Sequence, residues 1–248
     1  MHTWLMEMLE EAGTSAVGAR SADPYRDTDV IDARAPRVNQ AFVALFSLVA
    51  VLTGWWPLLA LYAAQMAIGL RFGRRYCLAC LLYFEVIQPR LGEGPIEDAR
   101  PPRFANLVGA IFLTAASLAY LAGFPLIGAG LALIVATLAA LAATTGFCIG
   151  CEMYRIGARL RSIQSRTLSH IDLHDLEANP ETDFVVQFSH PLCTACHEQR
   201  ERLRAEGRTV LPIDVRARPE LARKYGIDVV PIAVAVEPTG RVRARLAS

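Results

Sequence analysis

Apolar and charged positions divide the chain into a membrane-like first part and a mixed last part. Residues 38–70 and 104–151 contain no Asp, Glu, Lys, Arg or His. Each stretch is too long for one crossing of a hydrocarbon core about 30 Å thick, since a helix rises about 1.5 Å per residue. Glycine and proline interrupt both, at 54–57 and 123–125. The pattern predicts four transmembrane helices, at about 38–54, 56–71, 104–122 and 127–147.

The last part of the chain has short strand-like and helix-like stretches in alternation. The predicted elements are a strand at 183–189, a helix at 193–206, a strand at 210–215, a helix at 219–225 and strands at 232–237 and 241–246. The first strand–helix–strand unit requires a parallel pair with a right-handed crossover. The chain ends without a further helix over this sheet. We therefore expect the membrane part or another chain to cover one apolar face.

The expected organisation is a multi-domain chain, with an all-α four-helix transmembrane bundle followed by a truncated α/β domain. Residues 1–30 form a short helix and a linker, 31–155 the membrane domain, 156–180 a polar linker and 181–248 the α/β domain. The acidic start of the chain, without a basic segment or an apolar core, is not typical of a secretory signal. An i, i+4 stripe of small residues in the fourth helix would point Cys148 into the bundle if that helix continued through Gly146. Members of the stripe are Gly128, Ala132, Ala136, Ala140 and Thr144.

Arginine distribution predicts the orientation. The arginines near the membrane segments all lie on one side, which indicates the cytoplasm, and the two turns on the other side carry none. They are Arg20, Arg26, Arg34, Arg37, Arg71, Arg74, Arg75, Arg90, Arg100, Arg103, Arg155, Arg159, Arg161 and Arg166. We expect an inner-membrane, multi-pass protein in the lipid bilayer with both termini cytoplasmic. A net charge of +1 gives no general attraction to nucleic acid.

All six cysteines lie in Cys-x-x-Cys pairs, which are Cys77/Cys80, Cys148/Cys151 and Cys193/Cys196. At a helix N-terminus this spacing suits thiol–disulfide exchange, because the helix dipole stabilises the first thiolate and the second cysteine resolves a mixed disulfide. Arg74 and Arg75 could lower the pKa of the Cys77 thiol, but we interpret them as topology anchors and headgroup contacts. With the predicted topology, all three pairs lie on the cytoplasmic side.

The membrane part resembles a bacterial family catalogued as domain of unknown function 4395. The resemblance covers about residues 28–160 and rests on the stretches 32–40, 101–105 and 146–151, together with both membrane Cys-x-x-Cys pairs. It implies a four-helix membrane domain without supplying a reaction. It also points to thiol or sulfur chemistry, with cytoplasmic thiol or sulfurtransferase partners.

The stretch 182–247 resembles thioredoxins. It has a strand leading into Cys193-Thr194-Ala195-Cys196, and a segment at 226–231 like the one that ends in the thioredoxin cis-proline. The resemblance implies that Cys193 and Cys196 are catalytic and that Pro231 shapes the groove for the partner. Gln187 stands where thioredoxins have a buried carboxylate. Since glutamine cannot accept the proton of Cys196, this cysteine is a slow resolver unless His190 or His197 assists.

Three functions fit the sequence. The favoured one is an enzyme, a membrane-tethered thiol–disulfide oxidoreductase in which Cys193 and Cys196 exchange with the two membrane pairs. In the second, Cys77, Cys80, Cys148 and Cys151 bind zinc or an iron–sulfur centre that the thioredoxin-like module keeps reduced. In the third, the protein handles a sulfur species such as thiosulfate or persulfide. The first requires no cofactor, no quinone or metal can be named from the sequence, and an oligomer is compatible with each.

Overall fold

The computed structural model describes residues 22–164, 168–176 and 182–246. The expected N-terminal helix and most of its linker therefore lie outside the described residues. Contacts divide the chain into two compact units, Pro24–Gln164 and a unit that contains Ser165–Ser248. Each unit is described by itself.

The first unit contains two helix pairs, each joined by a short turn. They are α1 (Arg34–Thr53) with α2 (Pro57–Phe72), and α3 (Arg100–Leu121) with α4 (Pro125–Thr145). In the described part of the chain, α1, α3 and α4 are the three helices long and apolar enough to cross a membrane. Helix α2 has only 16 residues, which is about 24 Å of helix against a core about 30 Å thick. The expectation of four spanning helices is thus supported for three.

Helices α1 and α3 begin four residues before their predicted starts, at arginines that the hydropathy pattern excluded. An aspartate two residues upstream explains each start. Asp32 Oδ1 accepts a hydrogen bond from the Arg34 N–H at 2.9 Å, and Asp98 Oδ1 accepts one from the Arg100 N–H at 2.8 Å. These carboxylates satisfy donors of the first helical turn that have no partner within the helix.

The predicted loop between α2 and α3 contains regular structure. Its last residues form strand β2 (Ile96–Asp98), which pairs antiparallel with β1 (Val30–Asp32) just before α1. Its middle is helical from 78 to 91, with a π-helical section at Leu82–Ile87 between two short α-helical ones. The ribbon therefore joins the starts of α1 and α3.

The core of the bundle is made largely of small side chains, which lets the helices approach closely. A Cβ on Gly128 of α4 would lie 2.9 Å from the carbonyl oxygen of Ala116 in α3. The buried core residues are Val43, Ala50, Leu59, Tyr62, Ala63, Met66, Ala110, Leu113, Ala116, Ala132, Val135 and Ala139. The predicted small-residue stripe holds for Gly128, Ala132 and Ala136, but Ala140 and Thr144 are exposed. Steps of four residues drift around a helix with 3.6 residues per turn, so the stripe leaves the packed face.

A mixed sheet organises the second unit. Its strands are β3 (Phe184–Ser189), β4 (Val210–Asp214), β5 (Ile232–Val236) and β6 (Val242–Leu246), in the order β4-β3-β5-β6. Strands β3 and β4 are parallel, and β5 is antiparallel to both β3 and β6. Helix α6 (Thr194–Ala205) connects β3 to β4, and α7 (Pro219–Lys224) precedes β5. Strand β3 is buried along its whole length.

The residues between the two units are more structured than the predicted linker at 156–180. Helix α5 (Ile149–Gln164) follows α4, and residues 168–176 pack onto the sheet. The Ile171 N–H donates to the Gly240 carbonyl at 2.7 Å, the Val242 N–H donates to the Ser169 carbonyl at 3.1 Å, and Ile171 is 0% exposed. Only a few apolar residues make these contacts, and they stand in a mostly polar segment. For this reason the sequence pattern predicted a linker here.

An ionic cluster fastens the same segment. Asp175 accepts hydrogen bonds from Tyr225 Oη and, at 2.7 Å, from Lys224 Nζ, and the Arg218 guanidinium donates to the Asp175 carbonyl at 2.7 Å. Burial raises the pKa of Asp175, but the hydrogen bonds from Lys224 and Tyr225 outweigh it, so this pKa lies below its ordinary value. The sheet unit thus includes residues that the sequence assigned to a linker.

Candidate functional site

The three cysteine pairs share one local geometry. In each, the first sulfur accepts the backbone N–H of the second cysteine, at 3.3 Å for Cys77/Cys80, 3.2 Å for Cys148/Cys151 and 3.2 Å for Cys193/Cys196. Each pair is joined as a disulfide, with Cα atoms 5.1 to 5.3 Å apart. A hydrogen bond to sulfur and a helix N-terminus both favour the thiolate over the thiol. This shared local structure is compatible with thiol–disulfide exchange.

Cys77/Cys80 follows a loop that a buried arginine holds in place. The Arg74 guanidinium donates to four backbone carbonyls in the stretch 24–30, at distances from 2.5 to 3.3 Å. Burial, and after it the nearby charge of Arg103, lower the pKa of Arg74 to about 10. The expectation that Arg74 contacts headgroups is wrong, because its side chain is occupied inside the protein. Arg75 lies over the Tyr25 ring, 5.0 Å from its centroid.

Cys148/Cys151 begins a new helix instead of continuing α4. Helix α4 ends at Gly146, whose φ of +77° belongs to the left-handed region that favours glycine. A Cβ at this position would also collide with the guanidinium of Arg37 from α1. The condition under which Cys148 would point into the bundle is therefore not met. Between the two cysteines, a Cβ on Gly150 would lie 2.9 Å from the Cβ of Ala105 in α3.

Both pairs of the first unit lie at the end of the bundle where α1 and α3 begin. Cys77 packs on the last turns of α2, since a Cβ on Gly69 would lie 3.1 Å from the Cys77 Cβ. Cys148/Cys151 packs on the first turns of α1 and α3 through the contacts just described. All four cysteines are half-buried. The expected placement of both pairs at one end of the bundle agrees with these contacts.

The Cys193/Cys196 pair is closed in this structure. Cys193 is 1% exposed and Cys196 is 0% exposed, and both belong to the apolar cluster that includes Phe188, Tyr225 and Val230. Reaction with a partner requires Cys193 to become uncovered, because exchange proceeds by direct contact between sulfur atoms. This burial was not predicted from the sequence.

Gln187 anchors a polar network behind Cys196. Its Nε2 donates to the Cys196 carbonyl at 2.8 Å and to Gln199 Oε1 at 3.0 Å. Arg200 closes the network by donating to Gln187 Oε1 and to Ser189 Oγ, both at 3.1 Å. Burial lowers the pKa of Arg200, and the charge of Arg204 lowers it as well. The site behind Cys196 thus has an amide held by a cation. Helical spacing places Arg200 one turn after Cys196, which indicates its proximity to the pair but not its contact with Gln187.

The other predicted site residues lie around the same loop. The His190 Nδ1 accepts the Leu192 N–H at 3.1 Å, and the His197 Nδ1 lies 2.8 Å from the Cys193 carbonyl oxygen, to which it therefore donates. Both rings thus help to shape the backbone of the cysteine loop.

The Val230–Pro231 peptide bond is cis. Pro231 precedes Ile232, which pairs with Phe188 near the end of β3. Pro231 therefore lies at the same end of the strands as the start of the cysteine loop.

Metal ligands do not converge in the described residues. No group of three or more His, Cys, Asp or Glu side chains there could hold a metal ion. The arrangement needed for a four-cysteine zinc or iron–sulfur centre is therefore not formed by Cys77, Cys80, Cys148 and Cys151 in this structure. Each pair stands as a separate disulfide.

Comparison with known families gave one finding. A family model described as Domain of unknown function (DUF4395) matches residues 31–159. Neither the comparison with curated proteins nor that with solved structures gave a match. The match covers both cysteine pairs of the first unit and ends within α5.

Proposed function

The chain belongs to the DUF4395 family, whose description names no reaction, and we propose from its residues that it is a membrane-tethered thiol–disulfide oxidoreductase. In this proposal the Cys193/Cys196 pair exchanges with Cys77/Cys80 and Cys148/Cys151. The observation that carries it is the repetition of one exchange-competent geometry at all three pairs. A chain that only needed a membrane anchor would not need this geometry twice in its first unit.

The second unit acts in this proposal as a thioredoxin-like module. Support comes from its topology, a parallel strand–helix–strand unit followed by an antiparallel hairpin, with the cysteines between the first strand and its helix. Pro231, at the same end of the strands as the cysteine loop, would lie beside an incoming disulfide partner. The buried sulfur of Cys193 then implies that the module opens before it reacts.

The membrane part spans the cytoplasmic membrane in this proposal as a four-helix bundle, with α2 as a short fourth crossing. The arginine bias supports an orientation with both termini and all cysteines on the cytoplasmic side. Local thinning of the bilayer and flanking arginines can accommodate a helix of 16 residues. Cytoplasmic thiols or sulfurtransferases would be the outside partners.

The exchange step balances within the chain. The Cys193 thiolate attacks a sulfur of an oxidised membrane pair, so that one new S–S bond forms and the old one breaks to leave a thiolate. The Cys196 thiolate then attacks Cys193, which releases the second membrane thiolate and forms the Cys193–Cys196 disulfide. Two electrons move from the module to the membrane pair. Because the cytosol is reducing, we expect the module to work as the donor.

A trapping experiment tests the proposal. The Cys196→Ser variant keeps the attacking cysteine and loses the resolving one, so a mixed disulfide with a membrane cysteine should accumulate. The full-length variant in native membranes is oxidised briefly with diamide, quenched with acid and alkylated, and its cysteine connections are mapped by mass spectrometry. We expect Cys193 to be joined to Cys77, Cys80, Cys148 or Cys151.

Cys193→Ser provides the matched control, because it removes the attacking sulfur and should yield no such species. If Cys196→Ser joins Cys193 to none of the four membrane cysteines, exchange between the units does not occur and the proposal fails.

A further inference from the structure

The first unit is built from two copies of the same series of elements. Each copy has a short strand, the sequence Asp-Ala-Arg-x-Pro-Arg, a long helix, a second helix that begins with proline, a glycine with positive φ and a Cys-x-x-Cys pair. The matching features are Asp32–Arg37 and Asp98–Arg103, Pro57 and Pro125, Gly73 and Gly146, and Cys77/Cys80 and Cys148/Cys151. The two aspartates also cap their helices by the same hydrogen bond.

The strand pairing relates the two copies by an approximate two-fold axis. In the antiparallel ribbon, Ile31 lies directly opposite Glu97. Both residues immediately precede the aspartate of their motif, so they are equivalent positions. Pairing of equivalent residues across an antiparallel ribbon is what two-fold symmetry produces. Parallel repeats of this kind are related by an axis along the membrane normal.

One arginine of the first copy lies beside the cysteine pair of the second. The Arg37 guanidinium fills the space next to Gly146, two residues before Cys148. Arg103 holds the same motif position in the second copy, but a Cβ on Gly73, the counterpart of Gly146, would meet nothing within 4 Å. The arginine contact across the axis is therefore made at Cys148/Cys151 and not at Gly73.

We infer that Cys77/Cys80 and Cys148/Cys151 are equivalent sites that react in parallel with Cys193, and that Arg37 supports Cys148/Cys151 across the axis. This inference rests on the proposed function and specifies how its membrane partner is organised. A guanidinium near the pair stabilises the thiolate that leaves when Cys193 attacks, and so speeds the exchange. In a series relay only one pair would meet Cys193. In the parallel arrangement each pair accepts two electrons directly.

The first arm of the test removes one pair at a time. In the full-length Cys196→Ser chain, either Cys77 and Cys80 or Cys148 and Cys151 are changed to serine, and mixed disulfides are trapped in native membranes as above. Two equivalent sites predict comparable trapping at whichever pair remains. Trapping that disappears with one particular pair would overturn the equivalence, since it would identify the other pair as a downstream member of a relay.

The second arm tests Arg37 in those same backgrounds. Arg37→Gln should slow trapping at Cys148/Cys151 by about two- to fivefold, the effect of one partly exposed charge, and leave Cys77/Cys80 unchanged. Arg37→Lys should restore the rate, because it retains the charge. Arg90→Gln, at an exposed position of the same unit, serves as the matched control and should affect neither pair.

The outcomes distinguish a failure of the proposed oxidoreductase function from a failure of the role given to Arg37. Failure to trap Cys193 with either pair contradicts the proposed function. Normal trapping with equal slowing of both pairs by Arg37→Gln, or with no effect of this substitution, contradicts the role assigned to Arg37 and leaves the oxidoreductase proposal standing.

Discussion

At the scale of single residues, the buried amide of Gln187 is the main polar feature beside Cys196. Gln187 is 0% exposed, and both ends of its amide are engaged. The sequence shows that residue 187 carries an amide and not a carboxylate. It does not show that the Arg200 guanidinium binds this amide, since that requires knowing which face of α6 packs on β3. The cysteine pair could therefore be found from the sequence, but its electrostatic surroundings could not.

We predict that Arg200→Met lowers the free energy of unfolding by about 1 to 3 kcal/mol, because it leaves the buried Gln187 oxygen without its donor. Arg204→Met is the matched control on the same helix. Its ion pair with Glu201 is long, at 4.0 Å, and half-exposed, so we expect a change below about 0.5 kcal/mol. Urea unfolding of the detergent-solubilised chain measures both. Equal effects of the two substitutions would show that the network does not stabilise the site.

At the scale of elements, hydropathy predicted where helices run but not where they start and stop. The starts of α1 and α3 depend on Asp32 and Asp98, which lie outside the apolar stretches. The end of α4 depends on Gly146, whose surroundings include Arg37 from a distant part of the chain. Such a boundary is set by tertiary packing, so a local pattern cannot locate it. The positions of the strands in the second unit, by contrast, were largely readable because each strand is short and bounded by turn residues.

Gly146→Ala should destabilise the first unit by about 1 to 3 kcal/mol, because a side chain there requires left-handed backbone and displaces Arg37. Gly130→Ala in the same helix is the control, because a Cβ there meets nothing within 4 Å. We expect that substitution to be neutral or to stabilise by up to about 1 kcal/mol. Thermal unfolding in detergent compares them. Similar unfolding temperatures for the two variants would contradict the role assigned to Gly146.

At the scale of the whole molecule, the sequence predicted two units and the family of the first. It misjudged the connection, because residues 168–176 contribute Ile171 and the Asp175 cluster to the sheet unit. The burial of Cys193 also depends on packing from several segments at once. Neither feature leaves a periodic signal along the chain.

The arginine bias predicts which side of the membrane each turn faces, and labelling can check it. In a chain with all six cysteines changed to serine, Trp55→Cys lies in the turn between α1 and α2, and Leu91→Cys lies at the opposite end of the unit; both positions are exposed. An impermeant maleimide should label the first in intact cells and the second only after permeabilisation. The reverse pattern would invert the proposed orientation.

The ribbon of β1 and β2 has a consequence for assembly. A polypeptide carrying only one of the two copies would expose the edge of its short strand, with backbone donors and acceptors unpaired. Two such half-length chains could restore the ribbon by pairing Ile31 with Ile31. The present chain has the architecture of such a homodimer fused into a single polypeptide.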